Sequence, residues 1–230
     1  MSTPRDEAVS PRRSRGPIVF LTIAAAIGAG VWVWEEFIEN RVVPRNFAEV
    51  TPGELYRAGR QTPPTLTRIV RENEIRTIID LGGYSPGSAT ERRMIETAES
   101  LGVHRFATRL KGDARGNPNA YVQVLELIAD PANHPVLVHC AAGSERTGAT
   151  VALHRHLRGG VPLPDALAEA ITQKHDPADN PRMFSYVVEW ADEIAESLRT
   201  GEPIAGFPSL EEDGASLVFE RTTGAPGTGG

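Results

Sequence analysis

Residues 135–148 read Pro135-Val136-Leu137-Val138-His139-Cys140-Ala141-Ala142-Gly143-Ser144-Glu145-Arg146-Thr147-Gly148. Val136, Leu137 and Val138 form a short apolar run, the pattern of a buried strand. After Arg146, the residues Ala149, Ala152, Leu153, His156 and Leu157 recur at helical spacing, and Gly159-Gly160 closes that helix. Between strand and helix lies a short loop with Gly143 and the only cysteine of the chain, Cys140. A loop that leads from a strand end into a helix N-terminus points backbone N–H groups at one spot, and the helix adds partial positive charge there. Such a place suits a phosphate dianion, bound by the amides of Ala141, Ala142, Gly143, Ser144, Glu145 and Arg146. The Arg146 guanidinium can hold two phosphate oxygens at once. The same field favours the thiolate of Cys140, which is the nucleophilic form. The plainer reading of Cys140, a small buried hydrophobe, explains none of its neighbours.

Outward from this loop, strands and helices alternate. Thr62 and Pro63 open a helix carrying Leu66, Ile69 and Val70. Residues 77–81 are apolar and β-branched, as in a buried strand. Ser88 to Glu91 is a capping box for a helix with Met94, Ile95, Ala98 and Leu101. Residues 103–110 read as a further strand. Asn117-Pro118 starts a helix with Tyr121, Val124, Leu125 and Ile128 on one face. Pro164 opens a short helix, and Asn180-Pro181 opens a last one with Phe184, Val187, Val188, Ala191, Ile194 and Leu198 in phase. The alternation predicts an α/β domain with a central, mostly parallel sheet flanked by helices. Ligands of such sheets bind beyond the carboxyl ends of the strands, where Cys140 falls.

The stretch 139–148 fits the pattern H-C-x-x-G-x-x-R-[ST]-G. In this it resembles the signature loop of cysteine-dependent tyrosine and dual-specificity phosphatases. Asn46, Phe47, Val50, Gly53, Leu55, Tyr56, Arg57 and Gly59 resemble the opening of the atypical bacterial, plant and fungal branch, and residues 77–81 resemble its next core strand. The resemblance spans about residues 46–198 and implies a dual-specificity phosphatase-like fold. It implies hydrolysis of phosphomonoesters, phosphotyrosine in protein above all, through a phosphocysteine on Cys140, with Arg146 clamping the phosphoryl group. Thr147 can donate its hydroxyl to the sulfur, and His139 resembles the histidine that braces the loop and tunes the thiol. The resemblance further implies an aspartate acid on a mobile loop ahead of the cysteine, which fits Asp113, flanked by Gly112 and Gly116. Glu145 is the rival, because some lipid phosphatases of the wider superfamily carry an acid just before the signature arginine. Phosphoinositide or inositol phosphate hydrolysis is an alternative, although Ala141, Ala142, Ser144 and Glu145 stand where such enzymes often carry lysine or histidine. Arg109, Lys111 and Arg115 could still supply charge from the side. A phosphate-binding module without catalysis and a sulfurtransferase are further alternatives. The latter fits the Arg146-Thr147-Gly148 ending poorly.

The net charge of −6 gives no reason to expect a nucleic-acid partner. A single cysteine excludes an internal disulfide and a multi-cysteine zinc site. His154 and His156 lie too close on a helix for a shared metal face, and His175-Asp176 reads as a solvated loop, so no metal and no cofactor is expected. Residues 1–16 are basic at Arg12, Arg13 and Arg15, and the uncharged run 17–34 reaches the short end of the roughly 17–25 residues that cross a bilayer. Trp32 and Trp34 fall where an interfacial belt would lie, and the arginines place the N-terminal side in the cytoplasm. The expectation is a single-pass membrane protein with its catalytic domain outside the cytoplasm. A cleaved signal peptide is the alternative. Residues 201–230, rich in Gly, Pro, Thr and acids, are expected to be disordered. A short strand at 216–219 is conceivable there but has no evident partner.

Overall fold

The computed structural model describes residues 43–220. Six strands form one sheet: β1 (Ala48–Thr51), β2 (Leu55–Ala58), β3 (Thr77–Asp80), β4 (His104–Ala107), β5 (Val136–His139) and β6 (Val218–Glu220). Their spatial order is β1-β2-β5-β3-β4-β6. The inner four run parallel, while β1 and β6 close the two edges antiparallel. Six helices accompany them: α1 (Pro63–Glu72), α2 (Ala89–Leu101), α3 (Pro118–Ala129), α4 (Glu145–Leu157), α5 (Leu163–Thr172) and α6 (Arg182–Thr200). The expected α/β architecture with a mostly parallel sheet is what forms.

Side-chain alternation sorts the strands between two cores. Tyr56, Ala58, Ile78 and Leu137 pack with Leu66, Ile69 and Val70 of α1 and Met94 and Ala98 of α2. Leu55, Ile79, Val136 and Val138 face α3, α4, α5 and α6, through Tyr121, Leu125, Leu153, Leu167, Val187 and Ile194 among others. Local signals end the elements where they should. Ser88 accepts the Glu91 N–H at 3.1 Å, and Gly102, in the left-handed conformation, stops α2. The register sets Ala58 and Asp80 on either side of His139, so three strands finish together at the base of the signature loop.

The C-terminal segment departs from expectation. Through residue 220 it is not a disordered tail but a strap along α3, α6 and β4. Asn119 donates to the Ile204 carbonyl (3.0 Å) and accepts its N–H (2.7 Å). Asn117 donates to the Pro208 carbonyl, and Thr108 to that of Ala215. Phe207 meets Trp190 edge-on, and Phe219 packs on Phe106 as β6 pairs with β4. The segment's apolar residues are sparse, but each meets a surface distant in sequence, which composition averaged over the tail does not register. The expected membrane-spanning run 17–34, the basic residues 1–16 and the final residues 221–230 lie outside the described residues. Among the described residues no helix is long and apolar enough to cross a membrane.

Candidate active site

The loop from Cys140 to Ser144 is packed backbone to backbone against the end of β2. The Ala141 carbonyl accepts the Arg60 N–H at 3.0 Å. The Gly143 carbonyl accepts from Arg57 Nη2 at 2.5 Å. A Cβ on Gly59 would stand 2.6 Å from the Ala142 oxygen, so that carbonyl faces β2 as well. A trans peptide holds its C=O and N–H in opposite directions. Three carbonyls turned outward therefore turn the N–H groups of Ala142, Gly143 and Ser144 the other way. The Gly143 N–H reaches the Cys140 sulfur at 3.2 Å. Gly143 has φ +82°, and a Cβ there would lie 2.5 Å from the Gly59 nitrogen, so only glycine satisfies both conformation and space. Cys140 itself is buried.

Arg146, in the first turn of α4, gives Nη1 to the carbonyls of Leu81 (2.9 Å) and Gly82 (2.5 Å). Its Nε is buried and makes no hydrogen bond among the described residues. The loop after β3 that supplies those carbonyls is itself fixed. Asp80 accepts the Gly83 N–H at 2.5 Å and forms a buried ion pair with Arg105 at 2.6 Å. His139 ends β5 with Tyr84 edge-on at 5.7 Å, and its Nδ1 is 4.0 Å from Asp80, too far for a hydrogen bond. Burial pushes the imidazole below its ordinary value against the opposing pull of Asp80. That direction favours the neutral ring, which packs against Tyr84 of the loop after β3. Thr147 is buried in the first turn of α4, and its hydroxyl has no hydrogen-bond partner among the described residues. The expected hydroxyl-to-sulfur bond is not made here, and the N–H of Gly143 contacts the sulfur instead.

The two candidate acids have different surroundings. Asp113 lies between β4 and α3, 29% exposed, and its carboxylate binds Arg115 Nε at 2.7 Å and Nη2 at 2.6 Å. Burial raises this carboxyl, but the Arg115 hydrogen bonds and charge outweigh burial and hold it below the usual value. Its loop is pinned from inside the core, where Tyr121 donates to the Ala114 carbonyl (2.6 Å) and Tyr186 to that of Gly116 (3.0 Å). Asp113 and Gly112 border one surface cavity with Asp179, Asn180, Pro181 and Arg182. Glu145 is held more tightly. Both its oxygens lie 3.0 Å from His175 Nδ1, and Asn180 donates to Oε2 at 2.6 Å. His175, expected in a solvated loop, is instead fully buried against Phe184, with ring centroids 4.7 Å apart. Phe184 on α6 and Glu145 on α4 close over it, and neither contact is visible in the local run of sequence. Glu145 thus ties the segment between α5 and α6 to the start of the signature helix.

Sequence reasoning took Arg57 as a mark of resemblance only. It is 2% exposed on the sheet face that α4 to α6 cover. Burial pushes its guanidinium down to about 10, opposed by the charges of Cys140 and Glu169. One signal was available, since a charged residue sits at an inward position of a strand, where charges are rare without a partner.

A model of the tyrosine phosphatase family matches residues 41–160. Inositol diphosphatase DSP4 of Arabidopsis thaliana is 31% identical over 121 residues, 51% of this chain and 58% of its own. Inositol diphosphatase DSP2 of Oryza sativa is 27% identical over 160 residues, 68% of this chain and 76% of its own. The chain thus spans little more than half the length of the first of these relatives. Among solved structures, the core catalytic domain of the S. cerevisiae PP-IP phosphatase SIW14 superposes with TM-score 0.54 at 22% identity, over 68% of this chain and 94% of that one. P. aeruginosa TpbA in complex with pTyr gives 0.56 at 20% identity, over 68% and 91%. At these identities the two structures speak for the fold.

Proposed function

As the chain belongs to the tyrosine phosphatase family, we propose that it hydrolyses phosphomonoesters, protein phosphotyrosine first among them, through a phosphocysteine on Cys140. The observation that carries this reading is the turning of the loop carbonyls toward β2, which aims the amides of Ala142 to Ser144 toward the Cys140 side. The thiolate attacks phosphorus, and the bond to the leaving oxygen breaks. Loop amides and Arg146 hold the equatorial oxygens as their charge develops. Asp113 gives its proton to the leaving oxygen. Its carboxylate then takes a proton from the water that attacks phosphorus, which frees inorganic phosphate and the Cys140 thiolate. Glu145, with His175 and Asn180 on its carboxylate, holds the loop rather than moving the proton. The Thr147 hydroxyl aids sulfur departure, and His139 stays neutral as a brace.

A second reading, inositol pyrophosphate or phosphoinositide hydrolysis, is favoured by the names of the plant relatives. A loop bearing Ser144 and Glu145 in place of added cations attracts a highly anionic headgroup less, which supports the phosphotyrosine reading. Parallel assays of the full chain on a phosphotyrosyl peptide and an inositol pyrophosphate separate the two. Higher kcat/KM on the peptide, loss of all turnover in Cys140→Ser and inhibition by vanadate are expected. Turnover surviving in Cys140→Ser would end the covalent mechanism, and preference for the pyrophosphate would install the second substrate. We further propose that residues 17–34 anchor the chain in a membrane with the domain outside the cytoplasm. A reporter fused at the C-terminus should then be active only outside, and cytoplasmic activity would reverse the orientation.

A further inference from the structure

Arg57 has no part in the scheme above, yet it touches the signature loop from behind. Its Nη2 donates to the Gly143 carbonyl at 2.5 Å, and its buried Nε has no hydrogen-bond partner among the described residues. Removing a guanidinium from water is costly unless a counter-charge lies near. Two negative groups act on it, the Cys140 sulfur and Glu169. Glu169 is already engaged at both oxygens by Arg155, at 3.0 and 2.8 Å. The sulfur remains as the counter-charge that would explain a buried cation at this place.

We infer that Arg57 is a positioning residue for phosphoryl transfer, which fixes the Gly143–Ser144 peptide and lends positive charge to the Cys140 thiolate. The peptide is planar and trans, so a Gly143 C=O drawn to Arg57 sends the Ser144 N–H in the opposite direction, toward a bound phosphoryl oxygen. The N–H of the same glycine already reaches the sulfur at 3.2 Å. One guanidinium thereby sets a donor for the equatorial oxygens before the reaction begins, as electrostatic preorganisation requires. The other ionisable groups about this centre are Arg146 on α4, His139 on β5 and Tyr121 on α3, with the Arg155–Glu169 pair joining α4 to α5. Arg57 is the contribution of β2.

The inference rests on Cys140 as nucleophile, so the full chain is first alkylated with iodoacetate while turnover is followed in parallel. Only one cysteine can report. Alkylation that leaves turnover intact would overturn that reading and this inference with it. Alkylation rate and kcat that both fall about tenfold or more in a folded Arg57→Met are the expected result. Alkylation and turnover equal to wild type in a folded Arg57→Met overturn the role of Arg57 while the nucleophile stands. Arg57→Lys keeps the charge but not the fork, so its alkylation rate should hold while orthovanadate binds about tenfold more weakly. If Arg57→Met loses its cooperative melt, Arg57→Lys decides alone: vanadate affinity and kcat both equal to wild type would overturn the inference.

Discussion

In the proposed scheme Asp113 carries a proton to the leaving oxygen, yet Arg115 favours its ionised form. Replacing Arg115 with Met removes the side-chain hydrogen bonds and the charge and leaves only backbone hydrogen bonds against burial, so the carboxyl should rise and keep its proton to higher pH. The alkaline limb of kcat/KM is then expected to move upward by up to about one pH unit, moderated because both groups are partly exposed to water. Asp113→Asn should cost about 10²–10⁴ in kcat on phosphotyrosine and far less on p-nitrophenyl phosphate, whose leaving group departs as an anion. If instead Asp113→Asn is silent and Glu145→Gln carries the leaving-group dependence, the proton moves from within the signature loop. The loop of Cys140 and Gly143 and the helix turn of Arg146 were legible in the sequence because they are local, a strand end and the helix that follows it. Arg57, His175 and the Asp80–Arg105 pair were not. Each acts through a partner more than twenty residues away that only the strand register or the packing of α6 brings near.

At the scale of elements, the strap after α6 shows how a weak composition can still order. Its backbone polar groups are taken by side chains at the start of α3: Asn117, which caps that helix, and Asn119 in its first turn. β6 then covers the β4 edge, which would otherwise offer unpaired N–H and C=O groups. Asn119→Ala should leave the Ile204 N–H and carbonyl without their partners and cost about 1–3 kcal/mol, measured as a lower urea midpoint at constant m. A change below about 0.5 kcal/mol, the usual range for a surface substitution, would mean that the strap is undocked in solution. The helices themselves were readable from periodicity and caps. β6 was suspected from its apolar run but lacked a partner on paper, because antiparallel pairing with β4 joins residues more than a hundred positions apart.

Over the whole molecule, the buried His139 and the half-buried His154 shape how the fold meets acid. His139 is held below its ordinary value by burial against the pull of Asp80, and His154 by burial and the nearby Arg158. In both, the folded state binds its proton less readily than the unfolded chain, whose imidazoles titrate near about 6.5. Their contribution to stability is thus complete above about pH 6.5 and is lost as pH falls from there through the lower folded values. Carboxyl groups such as Asp113, also held low, add their own loss only at still lower pH. The urea midpoint should therefore stay level from about pH 8 to 7 and decline steadily below about 6.5, and His154→Gln, away from the signature loop, should remove part of that decline. A midpoint that rises on acidification through this window would refute the neutral state of both rings. The matter bears on the site as well as on stability, because His139 ends β5 at the base of the loop on which Cys140 stands.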